Sequence, residues 1–578
     1  MAQRRKNPET PGTPSGPQSS LNFEGAMNHA TTPVFSLEEE ESIVPGGPYV
    51  SSNLVIRFSY ELSKIFFIPL EFSVDSLLSM FIHTTSKEVQ NKSIVWFLIK
   101  ALLFLILLFV SIPLALFAFI IWCPLQLIRP RAFTYVCATS KPKSDTNYKR
   151  ISSQEFHATS INPPLATFAT QNPNTYSLVT ANICLMPEFV AHINNLCNSK
   201  QRGRKIADYF CGRQVQTATN TKHKSNQRGG DRFTETDCLF TPWSSENLNL
   251  GNGLNSCDSS ITETGSITST LWSISSKEQC VSDVFPGPSD FLCLQEVFDG
   301  QATNCLIEGL QTKYPHIIYD VSWPIHDRRL SILGSGLCVA SRHPFIDAKF
   351  RAFPDGHRDD KLACKGLLMT KIFLGSTDTG EDLVGFVANT HLQAWSHSSA
   401  SSVRCKQLNC ISLWMEEFQT ESKMRAKTSK EVTVFNIITG DFNFDRVSHY
   451  DSREQHCHFL NNFVDPCIDS SSGNQHSWVV GTELNQKMIH TDPVCTPQGL
   501  QRMLVSELER HQYVASTMAH KSTLTRNGDG KRRIDYILYK PCQDVQLGVK
   551  DFKFFTGLAT MSDHIPVGMM FSCERVSS

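Results

Sequence analysis

The stretch from Ile94 to Trp122 limits what this chain can become more than any other part of it. It is apolar throughout apart from Lys100, Ser111 and Pro113, and is longer than the roughly 20 residues that cross a bilayer core. Lipid offers no partner for backbone N–H and C=O groups, so such a segment must bond internally as a helix. A soluble core helix of this length and composition is improbable. Pro113 lies past its middle and leaves two geometries open, a kinked span or a re-entrant hairpin. On the C-terminal flank Arg129, Arg131, Lys141, Lys143, Lys149 and Arg150 outnumber Lys87 and Lys92 on the other side. If the segment spans, that asymmetry puts everything downstream in the cytosol, and Arg129 and Arg131 are placed to attract anionic headgroups. Just upstream, Leu54, Phe58, Leu62, Ile65 and Phe66 share a helical face opposite Arg57, Glu61 and Lys64, up to an expected stop at Pro69. This reads equally as an interfacial helix or a core helix.

At 578 residues the chain exceeds one compact core. Residues 1–50, rich in Pro, Ser, Thr and Gly, read as a disordered tail, 51–135 as the membrane-associated region and 136–175 as a linker. From residue 176 apolar runs recur at Phe291 to Leu294, Leu367 to Leu374, Leu383 to Ala388, Val432 to Ile438, Ile534 to Leu538 and Pro566 to Phe571. Helix-like spans such as Val403 to Phe418 separate them, which predicts a layered α/β domain over 176–578. It is interrupted at about 198–283 by a Ser/Thr/Asn/Gly-rich stretch that reads as a disordered insertion. A net charge of -1 gives no footprint for a nucleic-acid backbone, so DNA and RNA are not expected partners. The 19 cysteines include no Cys-x-x-Cys pair, which speaks against a zinc ribbon or redox dithiol and for a reducing compartment.

The chemistry gathers at strand ends. Val432 to Ile438 runs into Gly440-Asp441-Phe442-Asn443, presenting a carboxylate and an amide beside a glycine that blocks neither. The carboxylate can orient a water and the amide can donate to a phosphate oxygen, although Gly, Asp and Asn also simply close strands. Asp290-Phe-Leu-Cys-Leu-Gln-Glu296 ends in a carboxylate suited to a hard divalent cation. Asn389-Thr390-His391 ends in a histidine that can donate to phosphate. Asp535 opens a strand where it can steer an imidazole, and Ser562-Asp563-His564 sets an acid beside a histidine. Each motif alone is weak; five in one order are not.

That order, with Asn182 at its head, resembles the exonuclease–endonuclease–phosphatase superfamily. Within it, Phe-Leu-Cys-Leu-Gln-Glu-Val-Phe-Asp at 291–299, Gly-Asp-Phe-Asn-Phe-Asp at 440–445, Asp465-Pro466-Cys467 and Trp122-Cys123-Pro124 resemble the membrane-bound vertebrate neutral sphingomyelinases. The resemblance implies a DNase I-like two-sheet α/β sandwich preceded by a hydrophobic membrane domain. It implies magnesium, with manganese able to substitute, held by Glu296 with Asn182 and Asp563 nearby. It makes His564 the general base steered by Asp535, Asp441 the group that orients the water, and Asn443 and His391 the stabilisers of phosphate charge. The implied reaction releases ceramide and phosphocholine from membrane sphingomyelin. The family's Asp–Lys switch corresponds to Asp360 and Lys365, with Lys361 an extra charge able to pair with either acid, and anionic phospholipids are the expected activators. Cys123 and Cys137 match palmitoylation positions of relatives. The insertion is shorter than in the Golgi and plasma-membrane member, so a mitochondrion or endoplasmic reticulum location is favoured over the Golgi or the plasma-membrane inner leaflet. Two alternatives remain: another magnesium-dependent phosphodiesterase or phosphatase of the same fold acting on a different phospholipid or a phosphoinositide, the last disfavoured because Arg532-Arg533-Ile534-Asp535 lacks the Trp-x-Asp-Arg pattern, and a non-catalytic membrane scaffold.

Overall fold

The computed structural model describes residues 54–86, 93–127, 132–138, 148–152, 174–213, 280–322, 325–326, 329–330, 333–395, 397–425, 430–517 and 529–576. The expected N-terminal tail, Arg129, Arg131 and the greater part of the insertion lie outside them.

Two long helices come first, α1 (Leu54–Phe81) and α2 (Ile94–Leu127). They run antiparallel, zipped by edge-on aromatic pairs from Phe81–Phe97 through Phe72–Phe104 and Phe66–Phe117 to Phe67–Trp122. α2 continues unbroken through Pro113 and Pro124, which removes the re-entrant alternative. At 1.5 Å per residue it is about 51 Å long, more than a bilayer core requires. α1 does not stop at Pro69 as expected but runs to Phe81. Proline forfeits one backbone hydrogen bond, a local loss that packing along α2 offsets. Leu98, Leu102, Phe109, Leu116 and Ile120 of α2 remain exposed, an apolar surface that only lipid or another apolar partner would cover.

The elements that follow are β1 (Ala132–Ala138), β2 (Tyr148–Ser152), β3 (Thr175–Leu185), α3 (Glu188–Ile193), α4 (Ser199–Phe210), β4 (Val281–Ser282), β5 (Phe291–Val297), α5 (Gly300–Leu310) and β6 (His316–Ser322). After these come the small hairpin β7 (Ile325–His326) and β8 (Arg329–Leu330), then β9 (Cys338–Ser341), β10 (Phe345–Ala352), β11 (Gly366–Ser376), β12 (Asp382–His391), α6 (Ser398–Arg425), β13 (Glu431–Asp441), β14 (Asp535–Lys540), β15 (Val545–Phe555) and β16 (Val567–Arg575). They form a nine-stranded sheet, β2-β1-β6-β9-β5-β3-β16-β15-β4, facing a five-stranded sheet, β10-β11-β12-β13-β14. Between them Tyr176, Phe291 and Phe571 of the first sheet meet Phe435 of the second at ring separations of 5.4 to 5.5 Å. α4 and α5 cover the outer face of the larger sheet and α6 that of the smaller.

Two segments depart from expectation. β1 straddles the boundary expected at 135 between membrane region and linker, with Phe133 and Tyr135 alternating inward to the core, and β2 lies within the stretch expected as linker. α4 begins what was expected as a disordered insertion. Its sequence is polar, but Arg202, Gly203, Ile206, Ala207 and Phe210 recur at helical spacing and are buried.

Topology fixes where chemistry can occur. Each sheet contains a parallel pair joined by a helical crossover, β3 with β5 and β12 with β13. Parallel strands end on the same side, so Asn182 and Glu296 close one pair and His391 and Asp441 the other, the latter two in direct register. β14 starts beside Asp441, with Asp535 as its register partner. A deeper layer ties the sheets together, where Gln295 Nε2 donates to Asn389 Oδ1 at 2.7 Å and Asn389 Nδ2 donates to the carbonyls of Leu294 and Cys338.

α1 is attached to this sandwich. Asp75 accepts from the backbone N–H groups of Glu188 and Phe189 at the start of α3, and Asn195 bonds Thr85 and the carbonyl of Gln486. Gly440 permits the closest strand approach, with φ of 138° and a Cβ position only 1.9 Å from Thr390 O. Gly440→Ala should therefore cost roughly 3 kcal/mol, whereas Gly473→Ala, with nothing within 4 Å, should cost about 1 kcal/mol. Urea unfolding in detergent micelles would check this; equal costs would contradict it.

Candidate active site

At the shared rim Asn182 Nδ2 donates to Glu296 Oε1 at 2.9 Å and to Asp441 Oδ2 at 3.0 Å, one carboxylate from each sheet. Glu296 stands in the left-handed region, φ 59°, at the register shift between β5 and β3, where Gln295 pairs with Asn182 but Val297 pairs with Leu185. Asn443, also left-handed at φ 56°, donates its backbone N–H to Asp441 Oδ1 and its Nδ2 to Leu392 O. His564 Nδ1 lies 2.9 Å from Asp535 Oδ2, and its Nε2 lies 3.9 Å from Asp441 Oδ2. Ser562 Oγ donates to Asn182 O and accepts from His564 N, so the loop before β16 is tied directly to β3.

Burial sets the electrostatics. Asp441 is pushed up to about 7 by burial, with Asp535 adding to the rise and His564 and Asn182 opposing it. Glu296 is raised by burial and by the nearby Asp563. For His564 burial disfavours the charged imidazole, but Asp535, Asp441 and Asp563 overcome it and hold the ring well above its ordinary value. His391 moves the other way, lowered by burial and by the Lys365 ammonium and His564.

The donor set fits a hard divalent cation. Oxygen or nitrogen atoms of Glu296, His391 and Asp441 lie within 4.8 Å of one another, as do those of Asp441, Asp535 and His564. Asp563 Oδ2 accepts from Gln486 Nε2 at 3.0 Å, while its Oδ1 is buried without a hydrogen-bond partner. Glu296 and Asp441, raised first by burial and then by neighbouring carboxylates, with the orphaned Asp563 oxygen beside them, form a site that positive charge would relieve.

The sequence offers Lys365 as the partner of Asp360 in a switch, but does not show how deeply it enters this site. It is buried, pairs with Asp360 Oδ1 at 2.9 Å, donates to Leu392 O at 2.8 Å and lies 3.1 Å from His391 Nε2. It is Lys365, not Lys361, that pairs with Asp360, whose Oδ2 also accepts from Ala394 N and Gln393 Nε2. Sequence reasoning also missed a buried layer under the 440–451 loop. There Arg532 bonds Asp445, Asp451 and Glu483, Arg404 bonds Glu454 and Asp451, and Arg533 bonds Asp465. The Arg532-Arg533 pair was visible, but as isolated charges their partners were not. Cys123 and Cys137 lie apart from the rim; Cys123 is exposed on α2, and Cys137 is half-buried in β1.

Titration with magnesium should raise the unfolding temperature of the wild type saturably, and Glu296→Gln should need at least about tenfold more cation for the same rise. Identical titrations would remove Glu296 from the cation site.

Comparison with known proteins identifies the family. Residues 55–128 match the neutral sphingomyelinase N-terminal transmembrane region, and residues 272–564 match the endonuclease/exonuclease/phosphatase family. Sphingomyelin phosphodiesterase 5 of Mus musculus is 31% identical over 540 residues, covering 92% of this chain and 96% of that protein. Its Danio rerio counterpart is 30% identical over 538 residues, covering 87% and 94%. Among solved structures, sphingomyelinase C from Streptomyces griseocarneus aligns with 68% of this chain and 99% of its own at a TM-score of 0.34 and 14% identity. The chain belongs to the neutral sphingomyelinase family, with its catalytic domain in the endonuclease/exonuclease/phosphatase family.

Proposed function

We propose that the chain hydrolyses membrane sphingomyelin to ceramide and phosphocholine in a magnesium-dependent reaction. The observation that carries this is the convergence of Asn182, Glu296, His391, Asp441 and His564 on one rim, attached to an apolar helical hairpin. At 3.9 Å, Asp441 and His564 Nε2 do not bond each other, so both can hold one water. Asp535 fixes the His564 ring with Nε2 toward that water, as a buried carboxylate orients an imidazole. His564 accepts the water's proton as its oxygen attacks phosphorus, the bond to the ceramide oxygen breaks, phosphocholine retains the new oxygen, and the departing alkoxide takes a proton from solvent to become the ceramide hydroxyl while His564 returns its own to solvent. Asn443, and His391 once Lys365 leaves its Nε2, stabilise charge on the phosphate oxygens. When bound at Glu296, with Asn182 and Asp563 beside it, magnesium supplies positive charge against the phosphate and the departing alkoxide.

The Asp360–Lys365 pair acts as a gate on the same site. With Lys365 against His391 Nε2, that nitrogen is engaged by an ammonium and does not serve the phosphate. Anionic phospholipids, drawn by the basic flank including Arg129 and Arg131 and acting through the membrane hairpin, are the stimulus we assign to its release. Compartment follows the shorter insertion, to a mitochondrial or endoplasmic reticulum membrane.

In mixed micelles at neutral pH, phosphocholine release should require magnesium, rise with anionic phospholipid, and fall by about a thousandfold or more in Glu296→Ala. No release under any lipid condition would overturn the assignment. The acid limb of the rate follows loss of the His564 proton. Asp535→Asn removes a charge that favours the protonated ring, lowering its pKa, so the limb should move to lower pH while the plateau falls about 10²- to 10⁴-fold. A limb that stays in place would remove His564 as the base.

A further inference from the structure

Four residues past His391, the chain leaving β12 reaches Trp395, the exposed tryptophan among the described residues outside the helical hairpin, at 50% exposure. An exposed aromatic would ordinarily be free to relax, but this one is held at several points. Its backbone is left-handed, φ 76°. Its carbonyl accepts from Nη1 of the fully buried Arg404 at 2.6 Å, and its indole Nε1 donates to Asp359 Oδ1 at 3.0 Å. The preceding residue, Ala394, is fixed through its N–H to Asp360. The segment is joined to the phosphate side of the site as well, since Leu392 O accepts from both Lys365 and Asn443.

One face of this ring carries a cation. The guanidinium carbon of Arg358 lies 5.7 Å from the ring of Trp395, and Arg358 is itself left-handed at φ 54°. A cation on an exposed aromatic face is a weak contact. It is smaller than the cost of holding two side-chain-bearing residues in the left-handed region, so it does not account for the strain that creates it. A platform kept in place for another cation does. The phosphocholine headgroup carries one, a quaternary ammonium with no N–H to donate, two carbons from the phosphate ester oxygen. An aromatic face with a carboxylate at its edge, here Asp359, is the chemistry that recognises such a group.

We infer that Trp395 is the choline platform of this site, and that Arg358 occupies its face as an internal stand-in which the substrate's quaternary ammonium displaces. The inference rests on the proposed sphingomyelin hydrolysis and deepens it, because it assigns headgroup specificity to a named side chain.

The test compares initial rates of the full-length protein on sphingomyelin and on ceramide phosphoethanolamine, which has a primary ammonium instead. Trp395→Ala should raise KM for sphingomyelin about tenfold with a much smaller change in kcat, and should lower the preference over the ethanolamine lipid by a similar factor. Trp395→Phe should keep most of that preference. Arg358→Ala, which uncovers the platform, should lower KM for sphingomyelin about two- to threefold. A preference unchanged in Trp395→Ala, whatever the overall rate, would overturn the inference. So would a KM that stays put or rises in Arg358→Ala, or a Trp395→Ala defect on vesicles that disappears on a soluble short-chain sphingomyelin, which would make the ring a lipid anchor. If the wild type cleaves neither lipid, the proposed function falls and takes the platform with it; if it cleaves sphingomyelin, only the platform is at stake.

Discussion

One amide nitrogen holds the catalytic rim together. Asn182 Nδ2 donates to Glu296 from the larger sheet and to Asp441 from the smaller, so two carboxylates that would repel each other are pinned to one point. Everything else at the rim is arranged around that clamp. His564 reaches Asp441 because Ser562 ties its loop to the carbonyl of the same asparagine, and Asp535 stands behind His564 because β14 pairs with β13 in the register that sets Asp535 opposite Asp441. The Gln295–Asn389 contact one layer down keeps the sheets in the alignment that the clamp needs. Asp441 is pushed up to about 7 chiefly because burial disfavours its charged form, with Asp535 adding to the rise and His564 and Asn182 opposing it.

The strand ends were readable because their chemistry is local. Gly440-Asp441-Phe442-Asn443 and Asp563-His564 each sit beside an apolar run, and the two-sheet sandwich places them together as expected. What could not be read was long-range pairing. Lys365 was legible as the partner of Asp360, but not as a side chain buried against His391, a strand away. Arg404 and Arg532 appear in sequence as ordinary surface cations, but their partners Asp445, Asp451, Glu454 and Glu483 come from other segments. α4 was hidden because its buried positions include Arg202 and Gly203, which composition counts as polar or flexible. Pro69 misled for the opposite reason, a strong local signal overridden by packing against α2.

The membrane hairpin and the rim are physically continuous. Thr85, just past α1, bonds Asn195, Asn195 bonds the carbonyl of Gln486, and Gln486 Nε2 bonds Asp563. On the other side of the site Asp360, Lys365, Gln393 and Trp395 form a second connected set held by buried Arg404. The rim therefore has one flank tied to the hairpin and the other to the segments that bear Asp360 and the exposed indole.

The central claim is that a water held between Asp441 and His564 attacks phosphorus. Hydrolysis in oxygen-18-labelled water tests it most directly, with mass spectrometry of both products. The account predicts that the label appears in phosphocholine and that ceramide carries none. Label in the ceramide hydroxyl would mean that the carbon–oxygen bond breaks, and would contradict it.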